Sequence, residues 1–224
     1  MMLATDESKA THQKALEIVN ELLTKDGKDV DLLNLRSTCC GNLGMHREAV
    51  EALEKVVSLQ SEDPMANNNL AYVYAECGVN LEKAEKLAQK AISQAANDPT
   101  VIDTLGWVYY KQGRYGEAAA RFRQIVQQSE ENAVQDARTE HSILFDHAGD
   151  VYYKLGWTDK AVSLWKKALE LAGKQSPASS DDQMVLQATP AKLKAVRAGK
   201  QPALAPLIQK VLAPASRPAS APAK

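Results

Sequence analysis

The stretch VIDTLGWVYYKQGRYGEAAARF, residues 101–122, decides the fold. It carries a large residue before a small one, Leu105–Gly106, then Tyr109, a glycine at Gly113, Ala118 and an aromatic at Phe122. The same marks recur outward in both directions. Glycines stand at Gly44, Gly78, Gly113 and Gly156, the first three 34 and 35 residues apart. Seven residues before each is a small residue: Ser37, Ala71, Gly106 and Gly149. Five or six after each is an alanine: Ala49, Ala84, Ala118 and Ala161. Self-similarity at that period is the sequence sign of stacked helical hairpins. The small residues let the two helices of a hairpin approach closely. Leu70, Tyr74, Leu105, Tyr109, Phe122, Tyr152 and Trp165 are the large residues that fill the space between hairpins.

In this register the copies resemble the tetratricopeptide repeat, whose pattern is W-x2-L-G-x2-Y, A-x3-F, then P. The third copy matches with Ile102 in place of Trp, then Leu105–Gly106, Tyr109, Ala118 and Phe122. The fourth offers Phe145, Ala148–Gly149, Tyr152, Ala161 and Trp165. The second offers Leu70–Ala71, Tyr74 and Ala84 between Pro64 and Pro99. The first is weaker, with Leu33, Arg36–Ser37, Cys40, Ala49 and Leu53. The resemblance implies an all-α, right-handed superhelical solenoid of antiparallel hairpins, followed by a partly disordered C-terminal tail. Residues 68–72 and 103–107 look like those of bacterial members, some of them envelope-associated.

The expected organisation runs as follows. Residues 8–27 read as the second helix of a truncated repeat, and 30–62, 65–97, 98–131 and 141–173 as repeats one to four. Residues 132–140 are an insertion in which the third hairpin's second helix runs on or a short extra turn forms, and 174–189 a linker with Pro177 and several serines. A C-terminal helical or capping segment is expected at 190–213, with Pro190 opening a short helix and Leu204, Leu207, Ile208, Val211 and Leu212 forming one apolar stripe. Residues 214–224 are Pro/Ala/Ser-rich and expected to be disordered.

Net charge is −1 over 224 residues, so nothing draws the whole chain to nucleic acid. From Lys174 onward eight Lys/Arg meet two Asp, which gives the tail +6 and leaves the rest −7. The basic tail is therefore expected to return to the solenoid. Its apolar stripe would lie on the last hairpin, or its Lys192, Lys194, Arg197 and Lys200 would enter an acidic groove. No apolar run is long enough to span a bilayer, and direct membrane insertion is not expected. Cys39, Cys40 and Cys77 match no zinc spacing and read as buried thiols, which favours a reducing compartment. The compartment is cytoplasmic by default. It is periplasmic or envelope-associated if the true N-terminus lies upstream, as the half-repeat at the start allows.

Catalytic signatures are missing: no phosphate loop, no H-E-x-x-H and no G-x-S-x-G. His12, His46, His141 and His147 fall on different turns or faces, so no metal site, no cofactor and no enzyme activity are expected. The expected role is a non-catalytic scaffold or adaptor that binds a peptide or protein segment. Two alternatives stay open: these repeats belong to a longer enzyme or envelope protein, or the array self-associates through its N-terminal edge.

By resemblance, the first helices line a concave groove. The candidate residues recur ten, six, three and two positions before each glycine. They are Asn34, Asn68, Asp103 and Asp146; Thr38, Tyr72, Trp107 and Asp150; Tyr110 and Tyr153; Asn42, Glu76, Lys111 and Lys154. The aromatics among them either face the groove or, for Tyr110 and Tyr153, pack between hairpins. The asparagines suit an extended backbone, and the aspartates suit a ligand with basic and apolar residues. Some co-chaperones of the family clamp a C-terminal carboxylate with Lys and Asn. Asp103 and Asp146 stand where that Lys would fall, so the sequence departs from the clamp.

Overall fold

The computed structural model describes residues 2–132, 141–174 and 178–205. Its helices pair as the repeat demands. A long α1 (Met2–Lys25) precedes four hairpins: α2 (Val30–Asn42) with α3 (His46–Leu59), α4 (Pro64–Cys77) with α5 (Leu81–Gln94), α6 (Pro99–Lys111) with α7 (Tyr115–Asn132), and α8 (Ser142–Lys154) with α9 (Thr158–Lys174). A last helix, α10 (Ser180–Arg197), lies on α8 and α9. There is no strand among the described residues.

Local chemistry sets these boundaries. Asp29, Asp63 and Asp98 cap α2, α4 and α6 by accepting from the N–H groups of Leu32, Met65 and Thr100. Pro64 and Pro99 take the first helical position, where a missing N–H leaves nothing unpaired. Each hairpin then turns on a left-handed glycine, with φ +74° at Gly44, +65° at Gly78, +78° at Gly113 and +80° at Gly156. The residue after each glycine donates back into the helix it leaves: Met45 to Cys40, Val79 to Tyr74, Arg114 to Tyr109 and Trp157 to Tyr152. Only glycine adopts this backbone without strain, which explains the 34-residue ruler.

Packing inside a hairpin follows the small residues. Ala49, Ala84, Ala118 and Ala161 are all buried. Gly106 leaves room for the ring of Phe122, and Gly149 for the indole of Trp165. Between hairpins, Tyr74, Leu105, Ile102, Phe145 and Trp165 join one continuous core. The three cysteines are free and buried, and burial pushes the Cys77 thiol up to about 11, well away from reactive thiolate.

The C-terminal segment departs from expectation. Residues 180–189 are helical rather than linker, because Ser179 and Asp182 form a reciprocal capping box that starts α10 ten residues before Pro190. Pro190 sits inside the helix on its exposed side, where the Leu186 carbonyl that it leaves unpaired can face water. Of the expected apolar stripe, Leu204 is non-helical and packed against the core. Leu207, Ile208, Val211 and Leu212 lie outside the described residues, as do 133–140 of the insertion and the tail 214–224.

Candidate functional site

The candidate residues of the first helices fall into an N-terminal and a C-terminal group that differ. In the N-terminal half, α2 and α4 leave a cavity of about 390 Å³. Asn34, Thr38 and Asn42 of α2 line it with Asn69, Tyr72, Val73 and Glu76 of α4, and the first turns of α10 close its far end with Asp181 and Met184. A smaller cavity of about 230 Å³ adjoins it through Tyr72, Asn69 and Asp181 and reaches Asn68, Asp103 and Thr104. The buried Oδ1 atoms of Asn34 and Asn68 have no hydrogen-bond partner among the described residues. A buried acceptor left unpaired is costly, so these two mark places where a donor fits. Thr38 and Asn42 are exposed and donate back along their own helix, to the carbonyls of Asn34 and Thr38.

In the C-terminal half the candidates are not free. Trp107 is only 2 % exposed, whereas the sequence pattern had it facing out. Its ring is stacked between His147, with centroids 3.7 Å apart, and Tyr110, at 4.6 Å. Its Nε1 donates to Glu76 across 2.6 Å, and the buried Lys111 ammonium lies 3.5 Å from the same carboxylate. Asp103 is buried against His147 Nδ1 at 3.0 Å. Tyr110 is fully buried, and its hydroxyl donates to the Ala205 carbonyl. Asp146 and Asp150 both bind Lys192 of α10, at 2.7 and 2.6 Å. Tyr153 is half-buried with its ring tilted 5.8 Å from Trp165, while Lys154 is exposed. So Asp103, Trp107, Tyr110, Lys111, Asp146 and Asp150 form a sealed floor. The reason is tertiary: α8 brings His147, and α10 brings Lys192. The expectation that tail lysines enter an acidic groove is realised by Lys192, while Lys194, Arg197 and Lys200 stay exposed.

Burial and partners tune the charges of this floor. Burial alone would lower the His147 value, but the charge and hydrogen bond of Asp103 outweigh it and raise the imidazole above its ordinary value. Burial raises the Asp150 carboxyl despite the pull of Lys192, since one ammonium serves two carboxylates. Lys192 would also be discharged by burial, yet Asp150 and Asp146 hold its ammonium charged. For a raised histidine, the stability is complete below the unfolded value of about 6.5 and fades as pH rises through the folded value. Melting temperature should therefore fall as pH rises above about 6.5, and His147→Gln should flatten that fall. Identical slopes in thermal melts of both chains would show that this proton is not linked to folding.

His147, Thr189 and Asp181 neighbour the candidate residues although the sequence reading did not place them there, while Lys192 was expected from charge alone. His147 falls one residue after the Asp146 position, and α10 belongs to no repeat. No group of three or more His, Cys, Asp or Glu is placed to hold a metal among the described residues. No described helix is long and apolar enough to cross a membrane.

Comparison with known proteins agrees with this architecture. No curated protein matches the sequence. Among solved structures, a tetratricopeptide repeat protein from Parabacteroides merdae aligns with a TM-score of 0.65 at 17 % identity, over 86 % of this chain and 68 % of its own. A thermophilic tetratricopeptide protein of Thermus thermophilus gives 0.58 at 19 %, over 80 % and 93 %. YrrB, described as having an unusual peptide-binding site, gives 0.50 at 18 %, over 81 % and 86 %. At these identities the likeness concerns the fold. Models of the tetratricopeptide repeat match residues 42–99, 100–131 and 144–175, together more than half of the sequence. By its helices, its glycine turns and these matches, the chain belongs to the tetratricopeptide repeat family.

Proposed function

We propose that this chain is a non-catalytic interaction scaffold that holds an extended peptide segment across α2 and α4, in the N-terminal half of the groove. The observation that carries this reading is the cavity between Asn34, Asn42, Tyr72 and Glu76, which stays open while the other half is filled by the chain itself. Its chemistry suits a peptide. Asn34, Asn42 and Asn69 can pair with backbone N–H and C=O groups. Tyr72, Val73 and Met184 offer apolar contact, and Glu76 with Asp181 favours a cationic side chain. That a likeness in fold, YrrB, is described as peptide-binding supports the same reading.

Selection of peptides from a random display library on the immobilised chain tests it. The selected sequences should be enriched in basic and apolar residues. Thr38→Arg, at an exposed position within the cavity wall, should weaken a selected peptide by about tenfold or more, roughly 1.4 kcal/mol. Lys86→Ala, on an exposed second-helix face, should leave binding unchanged. Selected peptides that bind Thr38→Arg as tightly as the wild type would sink the groove assignment.

One observation favours self-association as well. Ile18, Leu22 and Leu35 are exposed at 60 %, 39 % and 46 % on the first two helices, an apolar edge where another element can pack. Light scattering of the wild type and Ile18→Lys, with a concentration-dependent mass lost in the variant, would show it.

A further inference from the structure

Lys192 is bound like a ligand. The residue is 5 % exposed, and its ammonium bridges Asp146 and Asp150 and lies 5.7 Å from the centre of the Trp165 ring. The socket is organised independently of the lysine: Trp165 Nε1 donates to Asp150 across 3.0 Å, and Asp146 and Asp150 sit one turn apart on α8. Two carboxylates and a ring face around one cation make a built site for a primary ammonium group.

The way α10 is held differs from the way the repeats hold each other. The hairpins interlock mainly through apolar side chains, whereas α10 buries three polar side chains, Asp182, Thr189 and Lys192, beside its apolar ones. Thr189 donates to Asp146 at 2.6 Å, Asp182 accepts from Ser142 at 2.6 Å, and Lys192 fills the socket. Val185 and Leu193 add buried apolar contact. Polar anchors of this kind specify a partner more than they stabilise one, because a competing segment with the same groups satisfies them equally. Pro190 further weakens the helix by removing one internal hydrogen bond.

We propose that Asp146, Asp150 and Trp165 form a lysine socket, and that α10 is an internal ligand which exchanges for a lysine presented on a partner's helix, uncovering the C-terminal half of the groove. The partner is recognised by a lysine with a hydroxyl residue three positions before it, as Thr189 precedes Lys192. The socket shares no residue with the cavity at α2 and α4, although α10 closes that cavity's far end with Asp181 and Met184.

The test uses the full chain and a labelled peptide of residues 178–205. In the wild type, amides of 183–197 should exchange hydrogen at least about tenfold faster than those of 144–152, as expected of a segment that opens by itself. The Lys192→Met chain should bind the wild-type peptide, and bind it about tenfold or more tightly than a peptide carrying Lys192→Met. The wild-type chain should bind the same peptide more weakly, since its own α10 competes. Equal affinity for both peptides overturns the proposal. So does exchange of α10 and α8 as one unit, or loss of α8 and α9 protection in Lys192→Met, because either makes α10 a fixed part of the core. A wild-type dimer that Lys192→Met dissociates would assign the socket to a second copy of this chain and overturn the partner reading.

Discussion

Trp107→Ala is expected to destabilise the chain by about 3–5 kcal/mol, as large aromatic deletions in sealed cores do. The indole fills the space between His147 and Tyr110, and both rings would face a void. The loss goes beyond packing. Glu76 accepts the indole N–H, so its carboxylate would lose a short, charge-assisted hydrogen bond beside the buried Lys111. Trp107→Phe should recover most of the packing and still forfeit that bond, at about 1–2 kcal/mol. Urea denaturation with a shared slope would measure both. An alanine variant within about 0.5 kcal/mol of the wild type would mean that Trp107 lines an open groove, the role its spacing first implied.

Gly149→Leu should damage the fourth hairpin as severely, by about 3 kcal/mol or more. Even a β-carbon there overlaps the Trp165 indole, whose Nε1 is the first atom met. Trp165 is fully buried and bonded to Asp150, so it has nowhere to retreat. Replacing a helical glycine ordinarily gains up to about 1 kcal/mol of propensity, which here is far smaller than the overlap. Gly106→Leu should behave similarly but less severely, since a β-carbon at that position lies 2.8 Å from the Phe122 ring edge. Gly173, near the end of α9, meets nothing within 4 Å and serves as the control. Matching denaturation midpoints for Gly149→Leu and Gly173→Leu would contradict the close α8–α9 approach.

Either mutation would be felt at the socket. Trp165 supports Asp150, Asp150 binds Lys192, and Lys192 anchors α10. Displacing the indole should therefore loosen α10 as well as the hairpin. Trp107 acts on the other side of the same floor, where His147 and Asp103 close it off from the open cavity. The interlocked aromatics thus divide the groove into a filled half and an open half.

Sequence alone determined the repeat, the turns of the hairpins and the inward small residues. Each of these rests on local physics: a left-handed turn that needs glycine at Gly44, Gly78, Gly113 and Gly156, Asp caps before Pro64 and Pro99, and one period shared by all copies. It also placed the candidate residues at recurring positions of the first helices. Tertiary structure alone decided which of them remain accessible. Asp103, Trp107, Asp146 and Asp150 read as surface because the repeat pattern assigns them no covering partner. They are covered by His147 from a neighbouring hairpin and by Lys192, 42 residues beyond Asp150. Such contacts follow no period, since they are made by pairing a charge with its opposite wherever the chain folds back, and α10 lies outside the repeat that made the rest legible.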